Sequence, residues 1–205
     1  QVKIKASMDM FFGENVVDHE HDAVKAGDIY TLNLNAGDVY NLSARGSKVA
    51  DFTGTLIDSD KPIVVLGEHD CAYVPKTHAA CDHLIEQLPP IESLGVDYIT
   101  APLFGSVPDY TGSCNYGYDN CGDVFRIVAP FDDTQVYVNG VLVRQLDSQE
   151  FYEFASIKPQ SIHASQPIMV LQFSSSLNRK SFKVDNTNIP RDPFMVVVPP
   201  SEQYL

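Results

Sequence analysis

The sequence predicts an all-β fold built from two related antiparallel β-sandwich-like units that arose by internal duplication. Three features carry this prediction: the composition, the period of the apolar residues, and a set of segments that recurs in order. The 205 residues include 10 Tyr, 11 Phe, 12 Gly and 13 Pro but no Trp. Aromatic and β-branched residues interrupted by Gly, Pro, Asn and Asp are typical of strands joined by turns.

The apolar pattern places the strands along the chain. Alternation with a period of two predicts half-buried strands at residues 2–6, 29–34 and 39–42. Runs of four apolar residues predict strands buried on both faces at residues 63–66, 168–171 and 195–198. Asn139-Gly140 between two apolar segments predicts a hairpin, because this pair adopts the positive φ angles of a type I′ turn.

Four segments of the first half recur in the same order in the second half. The pairs are residues 2–6 with 125–129, 37–42 with 149–154, 57–66 with 162–171, and 88–90 with 198–200. Such self-similarity indicates duplication, with loop insertions changing the spacing. We predict a first β-unit at residues 1–105, a linking loop at 106–123 and a second β-unit at 124–205. The second unit lacks a counterpart of the strand predicted at residues 96–100, so an open edge is expected.

The net charge excludes two classes of partner. The chain has 27 Asp and Glu against 14 Lys and Arg, a formal net charge of −13 and a sequence pI near 4.6. A nucleic-acid backbone or an anionic membrane surface requires a basic face, which this composition does not supply. No apolar run reaches the ~18 residues that a membrane-spanning helix needs. We therefore predict no nucleic-acid partner and no membrane insertion.

The four cysteines, Cys71, Cys81, Cys114 and Cys121, allow three pairings. None of the spacings is Cys-x-x-Cys, so neither a zinc ribbon nor a thioredoxin-type motif is indicated. The short gaps favour two local disulfides, Cys71–Cys81 and Cys114–Cys121, which require an oxidising compartment. The alternative is four free thiols in a cytosolic protein, which the redox argument disfavours.

Two ordered motifs carry a family resemblance. Residues 67–75 read Gly-Glu-His-Asp-Cys-Ala-Tyr-Val-Pro, and residues 81–90 read Cys-Asp-His-Leu-Ile-Glu-Gln-Leu-Pro-Pro. Together with the segments at residues 122–127, 165–174 and 192–204, they resemble the N-terminal domain of the IgGFc-binding protein family. The resemblance implies a secreted or cell-surface β-domain used for adhesion or recognition, with a Cys71–Cys81 disulfide. It does not fix the ligand.

The predicted recognition site is the loop at residues 109–123. Its Tyr, Ser, Gly and Asn residues are those that binding loops use for rigid contact area and adaptable hydrogen bonds. A Cys114–Cys121 disulfide would lower the entropy cost of holding them in place. The candidate ligand-binding residues are Tyr110, Asn115, Tyr116, Tyr118 and Asp119.

Two alternatives for this loop stay open. An ordinary long loop could fold its aromatic residues onto the body of the domain. A Ca²⁺ loop could use the oxygen ligands of Asp109, Asp119, Asn120 and Asp123, although their spacing does not match a known Ca²⁺ motif.

Polar residues also surround the first cysteine pair: His69, Asp70, His78, Asp82 and His83. Imidazole and carboxylate groups suit zinc. A disulfide loop with a capping Asp82 and a hydrogen-bonded His83 explains the same residues, so we predict no metal site and no cofactor there. The sequence has no Gly-x-Ser-x-Gly elbow, no Gly-rich phosphate loop and no His-Glu-x-x-His motif, so we also predict no enzymatic activity.

We predict a secreted or cell-surface adhesion or recognition module that binds a glycan or glycoprotein ligand. The main alternative is a structural building block that self-associates or packs against neighbouring domains of a larger surface or mucus-like protein. In either case the repeat places Val65 and Val170 at equivalent core positions. Replacing either by Asp is therefore expected to prevent folding.

Overall fold

The computed structural model describes residues 1–8, 10–11, 23–42, 51–75, 81–103, 122–175, 183–184, 187–188 and 193–204. The strands are β1 (Val2–Lys5), β2 (Met10–Phe11), β3 (Ala23–Val24), β4 (Ile29–Leu32), β5 (Leu56–Ser59), β6 (Leu66–Ala72), β7 (Asp82–Gln87), β8 (Gly95–Ile99), β9 (Asp123–Val128), β10 (Thr134–Val138), β11 (Val141–Leu146), β12 (Phe151–Ser156), β13 (Ser161–Phe173), β14 (Lys183–Val184), β15 (Thr187–Asn188) and β16 (Met195–Val198). Two short 3₁₀ helices, η1 (Ile91–Ser93) and η2 (Ser201–Gln203), complete the regular structure of these residues. The predicted all-β class is confirmed. Within this part of the chain, no helix has the length and apolar character needed to cross a bilayer.

The largest sheet has seven strands, and β13 runs through its centre. Residues 161–164 of β13 lie between β10 and β8, whereas residues 169–173 lie between β9 and β16. Strands β11 and β12 extend the sheet by pairing with β10 and β9. All of these pairings are antiparallel. Because its two ends have different neighbours, β13 belongs to two four-stranded layers, one with β11, β10 and β8 and the other with β12, β9 and β16.

Pro167 lies where β13 changes from one layer to the other. Proline has no backbone N–H and cannot donate to a neighbouring strand. The pairing with β8 is interrupted here, since His163 pairs with Asp97 and the next pair is Ile168 with Gly95. Extra residues on one strand of a pair bend it, which allows the strand to leave one layer and enter another.

The main core lies between these two layers. Its buried members are Tyr98, Ile127, Ala129, Val136, Leu146, Ile162, Ala164, Ile168, Val170 and Val198. In β13, Ile168 and Val170 point into this core, while Leu171 and the partly buried Met169 belong to a second cluster on the opposite face. The strand predicted at residues 168–171 is therefore buried on both faces, as expected.

The β6–β7 hairpin covers the outer face of the layer formed by β12, β9, β13 and β16. Ala72, Val74 and Leu84 of this segment pack against Val124, Val128, Leu171 and Phe173 of the sheet. A Cys71–Cys81 disulfide joins β6 to the residue that precedes β7. This confirms the predicted first cysteine pair; Cys114 and Cys121 lie outside the described residues.

The prediction of a doubly buried strand at residues 63–66 is wrong. Ile63, Val64 and Leu66 are 43%, 70% and 54% exposed, and of these only Leu66 belongs to a strand. The run is as apolar as its counterpart at residues 168–171, but no described strand packs over Ile63 and Val64. Apolar character determines what would be favourable to bury, whereas the neighbouring elements determine what is buried.

The N-terminal sheet has the strand order β4, β1, β5. Its core consists of Val2, Ile4, Ala6 and Leu32, with partly buried aromatic residues packed around it. It is linked to the large sheet by Gln149, whose side-chain amide donates to the Lys5 carbonyl at 3.1 Å. Gly54 has φ +89°, and a Cβ there would lie 2.0 Å from the Gln149 carbonyl oxygen. Only glycine permits this close approach.

The hairpin predicted at Asn139-Gly140 is confirmed. Strands β10 and β11 pair on either side of it. Asn139 and Gly140 have φ angles of 51° and 78°, the positive values that a type I′ turn requires.

The proposed division into two duplicated units stays a prediction, and the strand pairing adds two facts to it. Strand β8 falls in the predicted first unit but pairs with β13 in the predicted second unit. Strand β1 lies between β4 and β5 as β10 lies between β11 and β13. By its partners, β1 therefore resembles β10 more than residues 125–129, which contribute to β9.

Helix η2 fixes the start of β8. The Glu202 carboxylate accepts the backbone N–H groups of Val96 and Asp97 at 2.8 and 3.3 Å, and the Ser201 hydroxyl donates to the Asp97 carbonyl at 3.1 Å. Desolvation raises the pKa of Glu202, but these backbone hydrogen bonds outweigh it, so the pKa lies below its ordinary value. From β8, the buried Tyr98 hydroxyl donates to the Ile168 carbonyl.

Val170→Asp should prevent folding, because Val170 is fully buried in the main core and the new carboxylate would have no partner there. Val64→Asp is the matched control, since Val64 is 70% exposed. Circular dichroism and thermal denaturation should give a cooperative transition for Val64→Asp and none for Val170→Asp. A folded Val170→Asp variant would contradict the assignment of β13 as the central strand.

Candidate functional site

A polar cleft of about 300 Å³ lies between the N-terminal sheet and the large sheet. Its lining residues are Ser7, Asp51, Thr53, Arg144, Leu146, Gln149, Glu150 and Phe151. They come from both sides: the loop before β5, the end of β11, the turn at residues 147–150 and the start of β12. The cleft therefore exists only because the two sheets pack together.

Arg126 on β9 holds one wall of the cleft in place. Its guanidinium donates to both carboxylate oxygens of Asp51 at 2.9 and 3.1 Å and to the Thr53 hydroxyl at 2.6 Å. The same group binds Glu153, its cross-strand neighbour on β12, at 2.6 and 2.9 Å. The Arg126 side chain is only 14% exposed, and both carboxylates are about a quarter exposed. One cation thus joins the loop before β5 to the large sheet.

The aromatic surroundings of Arg126 extend to the cleft. Its guanidinium carbon lies 4.5 Å from the centre of the Phe151 ring and 5.6 Å from that of Phe173. A cation over an aromatic face is attracted by the ring quadrupole, more so when it is shielded from water. Phe151 remains 38% exposed and lines the cleft. The cleft therefore offers the Phe151 ring, which packs against the Arg126 guanidinium.

Arg144 is the cationic residue that lines the cleft, and its guanidinium is available to bind a ligand. Its guanidinium forms no ion pair or hydrogen bond with any residue in the described part of the chain. By contrast, Asp51 is bound by Arg126, and a Glu150 carboxylate oxygen accepts the Asp147 N–H at 3.0 Å. Because both carboxylates are already engaged, the arrangement suits binding by hydrogen bonds and stacking better than proton transfer.

The residues predicted to bind the ligand, Tyr110, Asn115, Tyr116, Tyr118 and Asp119, lie outside the described residues. The two flanks of their loop are described. The Leu103 N–H donates to the Asp123 carboxylate at 2.7 Å, so the loop starts and ends at one place. Gly122 has φ +86°, and a Cβ there would lie 2.4 Å from the Ser156 carbonyl oxygen.

Asp123, one of the alternative Ca²⁺ ligands, is fully buried. Its carboxylate also accepts the Gln172 side-chain amide at 2.7 Å. A carboxylate that receives several hydrogen bonds from the protein in a buried position serves the structure of the domain. The remaining Ca²⁺ candidates, Asp109, Asp119 and Asn120, lie outside the described residues.

The β6–β7 hairpin brings together Asp70 and His83, two of the five candidate metal ligands, and adds Glu68, which was not among them. Glu68, Asp70 and His83 have ligand atoms within 4.8 Å of one another, all exposed. Glu68 and Asp70 are two apart on β6 and so share a face, a period-two signal visible in the sequence. The other described candidates are engaged locally: His69 Nδ1 accepts the Cys71 N–H, and Asp82 accepts the His83 N–H. His78 lies outside the described residues.

Sequence reasoning also missed the cleft and Arg126. The signal for Arg126 was present, since it is the charged residue inside the apolar strand Val124–Val128. A charge in such a strand implies a paired partner. Its partner Asp51 is far away in the sequence, so no local pattern could identify it.

The sequence is similar to known proteins. The sequence matches the profile of a family described as IgGFc binding protein over residues 1–205. It is 27% identical over 184 residues to the human (Homo sapiens) IgGFc-binding protein, an alignment that covers 87% of this chain and 3% of the relative. No solved structure matches the chain.

Arg126→Met should lower the free energy of unfolding by about 2–3 kcal/mol, since it leaves two partly buried carboxylates without their cation. Arg144→Met is the matched control and should change stability by no more than about 0.5 kcal/mol. Chemical denaturation of both variants measures the difference. Equal stability of the two would mean that the ion pairs of Arg126 do not hold the sheets together.

Proposed function

Because this chain belongs to the IgGFc binding protein family, we propose that it is an extracellular recognition module that binds a glycan or a glycoprotein without catalysis. The Cys71–Cys81 disulfide fits an oxidising, extracellular location. The human relative is named for binding the Fc part of IgG, and that partner is one candidate among extracellular glycoproteins. The chain spans 3% of that relative, so the partner of the whole protein does not transfer directly.

The observation that carries this proposal is the polar cleft with its rigid aromatic wall. Phe151 offers apolar contact to one face of a sugar ring or a side chain, and Arg144 offers a charge-assisted hydrogen bond. Gln149 and Glu150 add acceptors around the opening. Because Arg144 has no acidic partner in the described residues, ligands that carry a carboxylate, such as acidic sugars or an Asp- or Glu-containing loop, suit the cleft best.

The tyrosine-rich loop at residues 109–123 is the second part of the proposed recognition surface. Its candidate ligand-binding residues remain Tyr110, Asn115, Tyr116, Tyr118 and Asp119. Support comes from the flanks, where the Asp123 carboxylate accepts the Leu103 N–H, so that the entropy cost of loop closure is already met before a ligand binds. A Ca²⁺ requirement is the alternative use of the same loop, and it would appear as loss of binding in a chelator.

The alternative function, assembly with neighbouring domains or other copies, is favoured by a different observation. Ile63, Val64 and Leu66 form an exposed apolar group next to the β6–β7 hairpin. Contiguous exposed apolar side chains often mark surfaces that bind another protein. Self-association remains part of this alternative.

Arg144→Ala should weaken ligand binding about tenfold or more, because a charge-assisted hydrogen bond to a ligand contributes roughly 1.5–3 kcal/mol. The measurement is a glycan and glycoprotein array that includes IgG Fc, run with Ca²⁺ and with a chelator. Lys158→Ala is the matched control, since it removes the same charge from an exposed turn away from the cleft. Tyr116→Ala and Tyr118→Ala test the loop in the same array.

The outcomes separate the two binding surfaces. Loss of signal in Arg144→Ala with retention in Lys158→Ala supports the cleft. Loss only in the tyrosine variants assigns the ligand to the loop. Equal signal in all four variants would exclude both the cleft and the loop as the binding site. No ligand on the array would argue against recognition and in favour of assembly.

A further inference from the structure

The β6–β7 hairpin of the first half and the β13–β16 pair of the second half have the same pairing register. In the first half, Leu66 pairs with Gln87, Gly67 with Glu86 and Glu68 with Ile85. In the second half, their counterparts in the predicted repeat pair in the same way: Leu171 with Val197, Gln172 with Val196 and Phe173 with Met195. The β6–β7 hairpin therefore corresponds to the C-terminal half of β13 with β16.

The N-terminal sheet corresponds to the other layer. Ile4 pairs with Ile57 as Val138 pairs with Ile162, and Val2 pairs with Ser59 as Val136 pairs with Ala164. Strand β5 is thus the counterpart of residues 161–164 in β13. Helices η1 and η2 also correspond, since each follows a Pro-Pro pair and carries a Glu at its second residue.

The halves differ in one element. Residues 161–164 of β13 have partners on both sides, β10 and β8. Strand β5 pairs with β1 on one side, and no described strand pairs with its other side. Such an edge presents backbone N–H and C=O groups that an added strand can satisfy.

The groups that hold β8 have counterparts that are exposed in the first half. Tyr98 of β8 lies over Ile168, which is fully buried, whereas the counterpart Ile63 is 43% exposed. Glu202 accepts the N–H groups of Val96 and Asp97. Its counterpart Glu92 is exposed and accepts no hydrogen bond from any residue in the described ranges.

We propose that β5, residues 61–65 and η1 form a strand-docking groove that binds an extended strand of another polypeptide with the chemistry of β8. The strand runs antiparallel to β5 and completes its edge by backbone hydrogen bonds. An aromatic side chain at the position of Tyr98 covers Ile63, and two backbone N–H groups at the start of the strand bind Glu92. The inference rests on the internal duplication and on the assembly alternative, and it is independent of the ligand of the polar cleft.

The chemistry of the groove favours a peptide over other ligands. An edge strand is satisfied by another strand, the geometry known as β-augmentation. The carboxylate of Glu92 selects backbone donors and repels phosphate or sulfate groups. Alternating contacts also give a sequence preference, because every second side chain of the bound strand faces the groove.

The test uses the full chain and a fluorescein-labelled peptide with the sequence of residues 94–101, Leu-Gly-Val-Asp-Tyr-Ile-Thr-Ala. Fluorescence anisotropy should show saturable binding. The same peptide with Ala in place of Tyr should bind at least tenfold more weakly, since it lacks the side chain that covers Ile63. Backbone hydrogen exchange at residues 56–59 should slow when the peptide is bound.

Variants of the chain locate the site. Ile63→Asp and Glu92→Gln should each weaken peptide binding at least tenfold. Val39→Asp is the matched control, because Val39 is 93% exposed and lies outside the groove, and it should bind like the unmodified chain. Arg144→Ala should also bind the peptide normally, so failure here and failure of the cleft proposal are distinguishable.

Two results would overturn the proposal: no saturable binding with no change in hydrogen exchange at β5, or equal loss of binding in Val39→Asp and Ile63→Asp. Sedimentation of the chain alone tests the assignment to another polypeptide, which predicts a monomer that binds the peptide. Concentration-dependent dimers that Ile63→Asp abolishes would overturn that assignment, because a second copy would then occupy the groove.

Discussion

The architecture depends on one strand that takes part in two hydrogen-bonded layers. Residues 161–164 of β13 pair with β10 and β8, and residues 169–173 pair with β9 and β16. Because both layers contain this strand, their inner faces meet and enclose the main core. Pro167, which cannot donate a hydrogen bond, lies at the crossing, where the ladder is already interrupted.

A single cation extends that arrangement to the N-terminal sheet. Arg126 lies on β9, next to β13, and binds carboxylates from both parts of the molecule. Its side chain also lies over the Phe151 ring, so the same residue contacts both the carboxylates and the aromatic wall of the cleft. The cleft is therefore a consequence of how the sheets are joined.

The two proposed functions use different parts of the molecule. The cleft and the tyrosine-rich loop offer polar and aromatic groups, which suit a glycan or a glycoprotein surface. The groove beside β5 offers backbone groups and apolar side chains, which suit a strand. The two proposals are compatible, since one surface can bind a partner while the other holds a polypeptide strand in place.

The sequence by itself determined the strand content, the Asn139-Gly140 turn, the Cys71–Cys81 pairing and the buried strand at residues 168–171. These follow from local signals: period, turn chemistry, cysteine spacing and apolar runs. The same signals failed at residues 39–42, which form no strand, because a period of two does not supply a pairing partner. They also failed at residues 63–66, because an apolar run states only that burial is favourable. Ile63 and Ile168 are chemically identical, and the presence of β8 over one of them decides that only Ile168 is buried.

Only the tertiary structure decided which strands pair, and therefore which distant residues meet. Arg126 with Asp51, Gly54 with Gln149 and Glu202 with β8 are contacts between residues that lie far apart in the chain. Each depends on backbone paths that no short segment encodes, since every residue except proline offers the same backbone N–H and C=O groups to a neighbouring strand. For this reason the cleft emerged from the packing of two sheets, whereas the strands that build it could be predicted one at a time.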